Sequence, residues 1–546
     1  MLVHPLLSVP FESKFGLSQK ERLAMHKSRN SSVLRRIVFP VFALLTLLAA
    51  VSSAQVNVTT FHNDNARSGV NAKETILTPA NVNVSAFGRK FTQPVDGYLY
   101  AQPLYLANVA IPGKGTHNVA YVATENDTVY AYDADNNLGT NAQPLWKTSF
   151  AHPPAVTAVP SGDTGCGDLT PKIGITSTPV IDLASHTVYV VAKTKESGHY
   201  FQRLHALDVA TGAERTGSPV EIKVNGPISF DPLIHGQRPG LLLQNGQVYI
   251  AWASHCDIGA YHGWIMSYNK TTLKQTGVLN LTPNGSLGGV WQSGAGPAAD
   301  STGVYFATGN GTFDADQGGG DYGDSILRLS APAGGKLPVK DFFTPYNQDI
   351  LNNTDADLGS GGVVLLPNQT GPYKHLLIQA GKEGSIYVID RDGMGKYNPN
   401  NNNQIVQFLP TVVGGLWSMP AFWNNTLYIG GAGDNLHQFS FDPVAGKLSS
   451  TPLYQTPTFF NFPSTTPSVS SNGTVNGIVW ALSTDTAPAI LHAYDATRID
   501  KELYSSSQKV GRDAPGQPVK FAVPTIANGK VYVGTRNRLA VYGLLP

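Results

Sequence analysis

Thr178-Pro179-Val180, followed some twenty residues later by Leu204-His205-Ala206-Leu207-Asp208 and closed by Thr211-Gly212, is the stretch from which the architecture is read. Its order is a small polar residue and proline, an apolar strand, a turn, a Val/Leu-Tyr strand, and another apolar strand ending near Asp. The same order runs from Gln102-Pro103-Leu104 to Val129-Tyr130-Ala131-Tyr132-Asp133. Weaker copies end at 265–268, 326–329, 387–390 and 436–439, a clear one ends at 491–495, and the last runs from Val523-Pro524 to Val541-Tyr542. About eight copies at intervals of roughly 50 to 75 residues mark a repeat architecture. Each copy holds three or four short strands, too few to bury both faces alone, so the copies must stack radially. The expected fold is all-β: an eight-bladed β-propeller of four-stranded blades. The final copy has only three strands before Pro546, so residues 87–95 are expected to supply its outer strand and close the ring, which protects the sheet edges. A β-sandwich array or a β-helix leaves that truncated last copy unexplained.

Composition agrees with this reading. The 56 glycines, 37 prolines and few charged residues suit short strands and tight turns better than long amphipathic helices. A formal net charge of +1 gives no electrostatic reason to expect nucleic acid or an anionic surface as partner. Residues 1–54 read as a signal peptide with an N-terminal extension. Arg35-Arg36 precedes an apolar run from Ile37 to Val51, and Ser52-Ser53-Ala54 offers small residues for cleavage before Gln55. An uncleaved anchor is the other reading, although the run is shorter than the ~20 residues of a membrane span. Residues 55–546 are then a single domain, secreted or periplasmic, with no membrane span in the mature chain. Cys166 and Cys256 are the two cysteines, so one disulfide is the maximum; two structural thiols are the alternative.

A second set of segments carries chemistry. Val304-Tyr305-Phe306-Ala307-Thr308-Gly309-Asn310-Gly311, Asp257-Ile258-Gly259-Ala260-Tyr261-His262-Gly263, Asp321-Tyr322-Gly323-Asp324-Ser325-Ile326 and Gln379-Ala380-Gly381-Lys382-Glu383-Gly384 follow one another through the repeats. In this order they resemble the quinoprotein alcohol dehydrogenases, propellers that bind pyrroloquinoline quinone and calcium on the axis. The resemblance implies that Asn310 and Asp257 ligate calcium, which favours hard oxygen donors. It implies that Asp321, with Asp324 as second candidate, is the base that takes the alcohol proton. It further implies that Lys382 bonds the quinone oxygens, that Trp291 is a stacking platform for the cofactor ring, and that Gln102 and Lys172 stand near the cofactor. Without the resemblance, Asn310 is a turn residue, Asp321 belongs to a solvated acidic loop, Trp291 packs between blades and Lys382 is a surface lysine.

The sequence also departs from that family. Asp257 is one methylene shorter than the family Glu, His262 replaces an Arg, Gln102 replaces a Glu, and Gly165-Cys166 cannot form the family's disulfide between adjacent cysteines. Cys166 and Cys256 both fall near the implied cofactor loops and are expected to bridge neighbouring blades. No Walker loop, His-Glu-x-x-His helix, Gly-x-Ser-x-Gly elbow or c-type haem motif is present in the sequence. Two functions follow. One is an exported dehydrogenase oxidising a small alcohol or sugar hydroxyl and passing electrons to an external cytochrome or quinone. The other is a non-catalytic propeller of the same ancestry serving as a binding or assembly scaffold.

Overall fold

The computed structural model describes residues 56–224 and 226–546. One compact unit covers all of them. The signal peptide and extension read at 1–54 lie outside the described residues.

Among the described residues, eight mainly antiparallel sheets follow one another around a ring. They span residues 104–149, 156–221, 235–280, 298–344, 364–409, 421–460, 468–505 and 525–544, and are numbered here as blades one to eight. Blades one, five and eight have four strands. The others carry an additional short strand or hairpin, such as Lys396–Tyr397, which pairs parallel with Val339–Thr344 of blade four. The ring closes as expected. Phe87–Pro94 lies antiparallel to Arg538–Leu544 as the outer strand of blade eight, with Phe87 opposite Leu544 and Pro94 opposite Arg538.

The central strands are buried on both faces because each blade is packed between two others. Thr128–Asp133 and Leu376–Ala380 are buried throughout, so they read as continuous apolar runs and not as strict alternation. The recurrent tyrosines have a specific use. Tyr121 donates its hydroxyl to the Val209 carbonyl at 2.9 Å, Tyr189 to Lys270 at 2.7 Å, Tyr428 to Ala496 at 2.6 Å and Tyr532 to Ala134 at 3.1 Å. Each bond crosses from one blade to a neighbour, so the Val/Leu-Tyr motif combines an apolar ring for the interface with a polar tip that satisfies an otherwise buried carbonyl.

A feature without a repeat signature fills the axis. Residues 58–71 wind through the centre and bond to the inner strands of the ring. Val58 pairs with Tyr105 in blade one, and the Thr59 carbonyl accepts from Ile181 in blade two. Asn65 Nδ2 donates to Leu243 in blade three. The carbonyls of Asn65, Ala66, Ser68 and Gly69 accept from Ala299, Leu365, Phe422 and Val469 in blades four to seven. Asn71 Nδ2 donates to Ile526 in blade eight. Arg67 is fully buried in this hub and is solvated by protein oxygens: Nε donates to Pro297 at 2.9 Å, Nη1 to Thr60 Oγ1 at 2.7 Å and to Phe61 at 2.8 Å, and Nη2 to Leu241 at 3.3 Å.

Candidate functional site

A cavity of about 160 Å³ lies among the loops that connect blades two to five, lined by Asp168, Arg238, Asp257, Trp291, Asp357 and Lys382 among others. These loops enter or leave inner strands, so the ring brings together residues far apart in sequence. Some of the backbone here is strained. Cys256, Asp257, Gln292, Ser293 and Asp355 all have left-handed φ angles between 42° and 56°. Non-glycine residues hold that conformation only where surrounding structure enforces it, a pattern common at functional sites.

The centre of the site is Asp357, which sequence reading had not singled out. Its Oδ1 accepts from the Asn310 backbone N–H at 2.6 Å, and its Oδ2 lies 2.7 Å from Lys382 Nζ. Burial raises the Asp357 pKa, Lys382 opposes the rise, and the negative charge of Asp257 adds to it. Lys382 also donates to Asp355 at 2.6 Å, and its ammonium lies 5.7 Å from the centre of the Trp291 ring. Its pKa is raised: burial works against the charge, but Asp357 and Asp355 outweigh it. The Asn310 side chain donates through Nδ2 to Asp355 at 2.8 Å, whereas its buried Oδ1 has no hydrogen-bond partner. Asp257 accepts from the Tyr261 hydroxyl at 2.7 Å. Asp257, Asn310, Trp291 and Lys382 are thus assembled around one carboxylate.

Four other residues singled out in the sequence stand elsewhere. Asp321 is buried, but Oδ1 accepts from the Asn284 N–H at 2.8 Å and Oδ2 from Thr312 Oγ1 at 2.6 Å, so it closes a loop away from the cavity lining. Asp324 lies behind Asp357 and accepts from the Leu358 N–H at 3.0 Å; burial, then the charge of Asp357, raises its pKa well above the ordinary value. Gln102 belongs to the hub, accepting from the His62 N–H at 2.8 Å and donating to Thr525 Oγ1 at 3.0 Å. Lys172 is exposed in the short strand Lys172–Ile173 and does not line the cavity.

Cys166 and Cys256 form a disulfide with Cα atoms 5.8 Å apart, tying a loop of blade two to one of blade three. It anchors the segments that carry Asp168 and Asp257. Beside it lies a buried polar chain. The Lys193 ammonium donates to the Leu233 carbonyl at 2.7 Å and lies 2.9 Å from His255 Nε2. Burial lowers Lys193 to about 7 and, helped by the Lys193 charge, lowers His255 to about 4, so His255 faces the cavity as a neutral imidazole. Glu125 accepts from the Gly174 N–H at 2.6 Å and from Thr176 Oγ1 at 3.1 Å; burial still raises it to about 7.

The donor set suits a hard divalent cation. Two carboxylates and an unpartnered amide oxygen are oxygen ligands of the type calcium takes, and the flanking lysine and indole suit an anionic planar ring. No family model and no curated protein sequence matches the chain. Among solved structures, a quinohemoprotein alcohol dehydrogenase from Pseudomonas putida superposes with a TM-score of 0.58 at 15% identity, over 89% of this chain and 80% of the other. A europium-containing methanol dehydrogenase superposes with a TM-score of 0.58 at 13% identity, over 90% and 98%. The chain therefore has the eight-bladed propeller fold of these quinohemoprotein alcohol and methanol dehydrogenases.

Proposed function

We propose that the protein is an exported quinoprotein-type oxidoreductase whose cavity holds pyrroloquinoline quinone and calcium and oxidises a small alcohol or sugar hydroxyl. The observation that carries this reading is the convergence of Asp257, Asp357 and the unpartnered Asn310 Oδ1 beside Lys382 and Trp291. Asp257 and Asn310 Oδ1 would hold the cation; Trp291 would support the planar ring and Lys382 its oxygens. When bound, the quinone would supply a two-electron hydride acceptor for the carbinol carbon, with an external cytochrome or quinone as the onward electron acceptor. Asp357 is the carboxylate we assign to the hydroxyl proton, accepted at Oδ2. Its burial makes it a stronger base than a solvated aspartate, and Lys382 keeps it ionised. The N–H of Asn310 fixes the rotamer of Asp357 through Oδ1. Asp321, bonded to Asn284 and Thr312, does not line this cavity, whereas Asp357 does. The disulfide supports an oxidising compartment, and among the described residues no helix is long and apolar enough to cross a membrane.

One observation favours the scaffold reading. Lys382 already pairs with both Asp355 and Asp357, so these two carboxylates are partly charge-compensated without a metal. Titration of the purified protein with quinone, with and without calcium, followed by tryptophan fluorescence and visible absorption, separates the two. The oxidoreductase reading expects calcium-dependent quenching, a quinone band bleached by an alcohol, and loss of bleaching with retained quenching in Asp357→Asn. Absence of quinone binding leaves the scaffold.

A further inference from the structure

The cavity has a second end whose chemistry the quinone reading does not use. Arg238 lines it from blade three, its side chain only 13% exposed. Among the described residues its guanidinium forms no hydrogen bond; the nearest carboxylate oxygen, Asp168 Oδ2, is 3.6 Å away, and Nη2 is buried without a partner. Lys520, from the loop before blade eight, likewise has no hydrogen bond or ion pair among the described residues. Burial and the charge of Arg238 lower it to about 8 against the pull of Asp168. Two cations thus share one carboxylate, and Asp168 is itself held at about 2: burial alone would raise it, but His255, Arg238 and Lys520 outweigh burial. Cations withdrawn from water without hydrogen-bond partners are costly unless an anion completes them.

The surroundings of this pair are aromatic. Arg238 stacks 4.5 Å from the centre of the Phe521 ring, and Lys520 lies 5.7 Å from the same ring. Phe521 has a φ of 66°, a strained conformation for a bulky side chain. Phe462 meets Phe521 edge-on at 6.3 Å, and Trp417 meets Phe462 edge-on at 5.4 Å. Phe462 is 53% exposed, although large apolar side chains are normally covered.

We propose that Arg238 and Lys520 form an anion subsite at the mouth of the cavity that takes the carboxylate of a small aromatic acid, whose ring lies along Phe521 and Phe462. Guanidinium and ammonium donors give charge-assisted bonds to a carboxylate, and the edge-to-face row offers the flat apolar surface that an aryl ring needs. Quinone occupancy is not required for this binding, so the test stands apart from the oxidoreductase reading.

Calorimetry on the disulfide-intact protein, without quinone or calcium, compares benzoate with benzyl alcohol, which has the same ring without the charge. Benzoate should bind more tightly by at least about tenfold. Lys520→Gln and Arg238→Gln should each erase most of that preference while leaving benzyl alcohol unchanged, and Phe462→Ala should weaken both ligands. Thermal melts identify any misfolded variant; Lys520→Gln removes no hydrogen bond and serves as the variant that folds. Equal affinity for the two ligands, no saturable heat with benzoate, or a benzoate affinity indifferent to Lys520→Gln overturns the proposal. A competition arm separates the source of the carboxylate. If added quinone excludes benzoate and Lys520→Gln weakens quinone instead, the anion is the cofactor's and the proposal of an aromatic-acid subsite falls.

Discussion

Replacing Arg67 by Met removes a cation buried in the hub while retaining most of its volume. Four oxygens lose their donor: Thr60 Oγ1 and the carbonyls of Phe61, Pro297 and Leu241. Leaving a buried acceptor unsatisfied costs about 1–3 kcal/mol, so the four together cost roughly 6 kcal/mol. Against this, the wild type spends free energy to keep the guanidinium charged, because burial lowers Arg67 from 12.5 to about 10. At about 1.4 kcal/mol per pH unit, removing that charge returns roughly 3 kcal/mol, leaving a net loss of about 3 kcal/mol. The loss is local to the hub, so amide hydrogen exchange is the proper assay. Ala299, Leu365 and Phe422 donate their N–H groups to Asn65, Ala66 and Ser68. Their exchange should accelerate roughly a hundredfold in Arg67→Met, given that about 1.4 kcal/mol is tenfold. Amides of outer strands, such as those of Glu502–Ser505, should change far less. Unchanged exchange at the three hub amides refutes the claim that 58–71 is held to the ring through Arg67.

Glu125 gives a pH test. Its pKa is raised to about 7 by burial, while the unfolded side chain titrates near ~4.3. Between these values the folded state holds the extra proton, so its contribution to stability is full below ~4.3 and is lost as pH rises through about 7. Glu125→Gln should gain stability relative to wild type as pH is raised across that window; parallel denaturation midpoints from pH 4 to 8 contradict it. The disulfide gives another. Cys166 and Cys256 are separated by 90 residues, and closing so long a loop in the unfolded chain is worth about 4–5 kcal/mol in the chain-entropy model. Cys256→Ser should lower the denaturation midpoint accordingly, whereas an unshifted midpoint shows that the bridge adds no constraint beyond the ring itself.

The ring was legible because its repeat is physical: each Pro-led inner strand and each Val/Leu-Tyr strand performs the same task in successive blades. The closing strand followed from counting strands in the last copy. The hub was not legible, since 58–71 has neither repeat nor charge pattern and acts through backbone carbonyls. At the site, Asp257, Asn310, Trp291 and Lys382 stood in recognisable segments; three of them line one cavity and Asn310 bonds to Asp357 in its wall. Asp357 escaped notice because Asp355-Ala356-Asp357 has the composition of an ordinary acidic turn, whereas the Asp-rich loop from 314 to 324 drew attention. Linear order does not reveal which of two acidic loops turns inward. Asp321 is held by Asn284, a partner 37 residues earlier in the chain, and only the folded ring shows that pairing. Arg238 and Lys520 were equally hidden, because their proximity is a product of the circle and not of the sequence.

The closure of blade eight also sets a timetable for biosynthesis. Lys90 and Leu544, joined across the seam, are 454 residues apart, so the ribosome releases one partner long before it makes the other. Until the final strand emerges, Phe87–Pro94 and the unfinished last sheet both present open hydrogen-bonding edges, the surfaces through which incomplete chains aggregate. A chain stalled late in translation would therefore be more dangerous than one stalled early, because it has built nearly the whole ring of blades and lacks only the latch. Chaperone demand should peak in the last moments of synthesis or export.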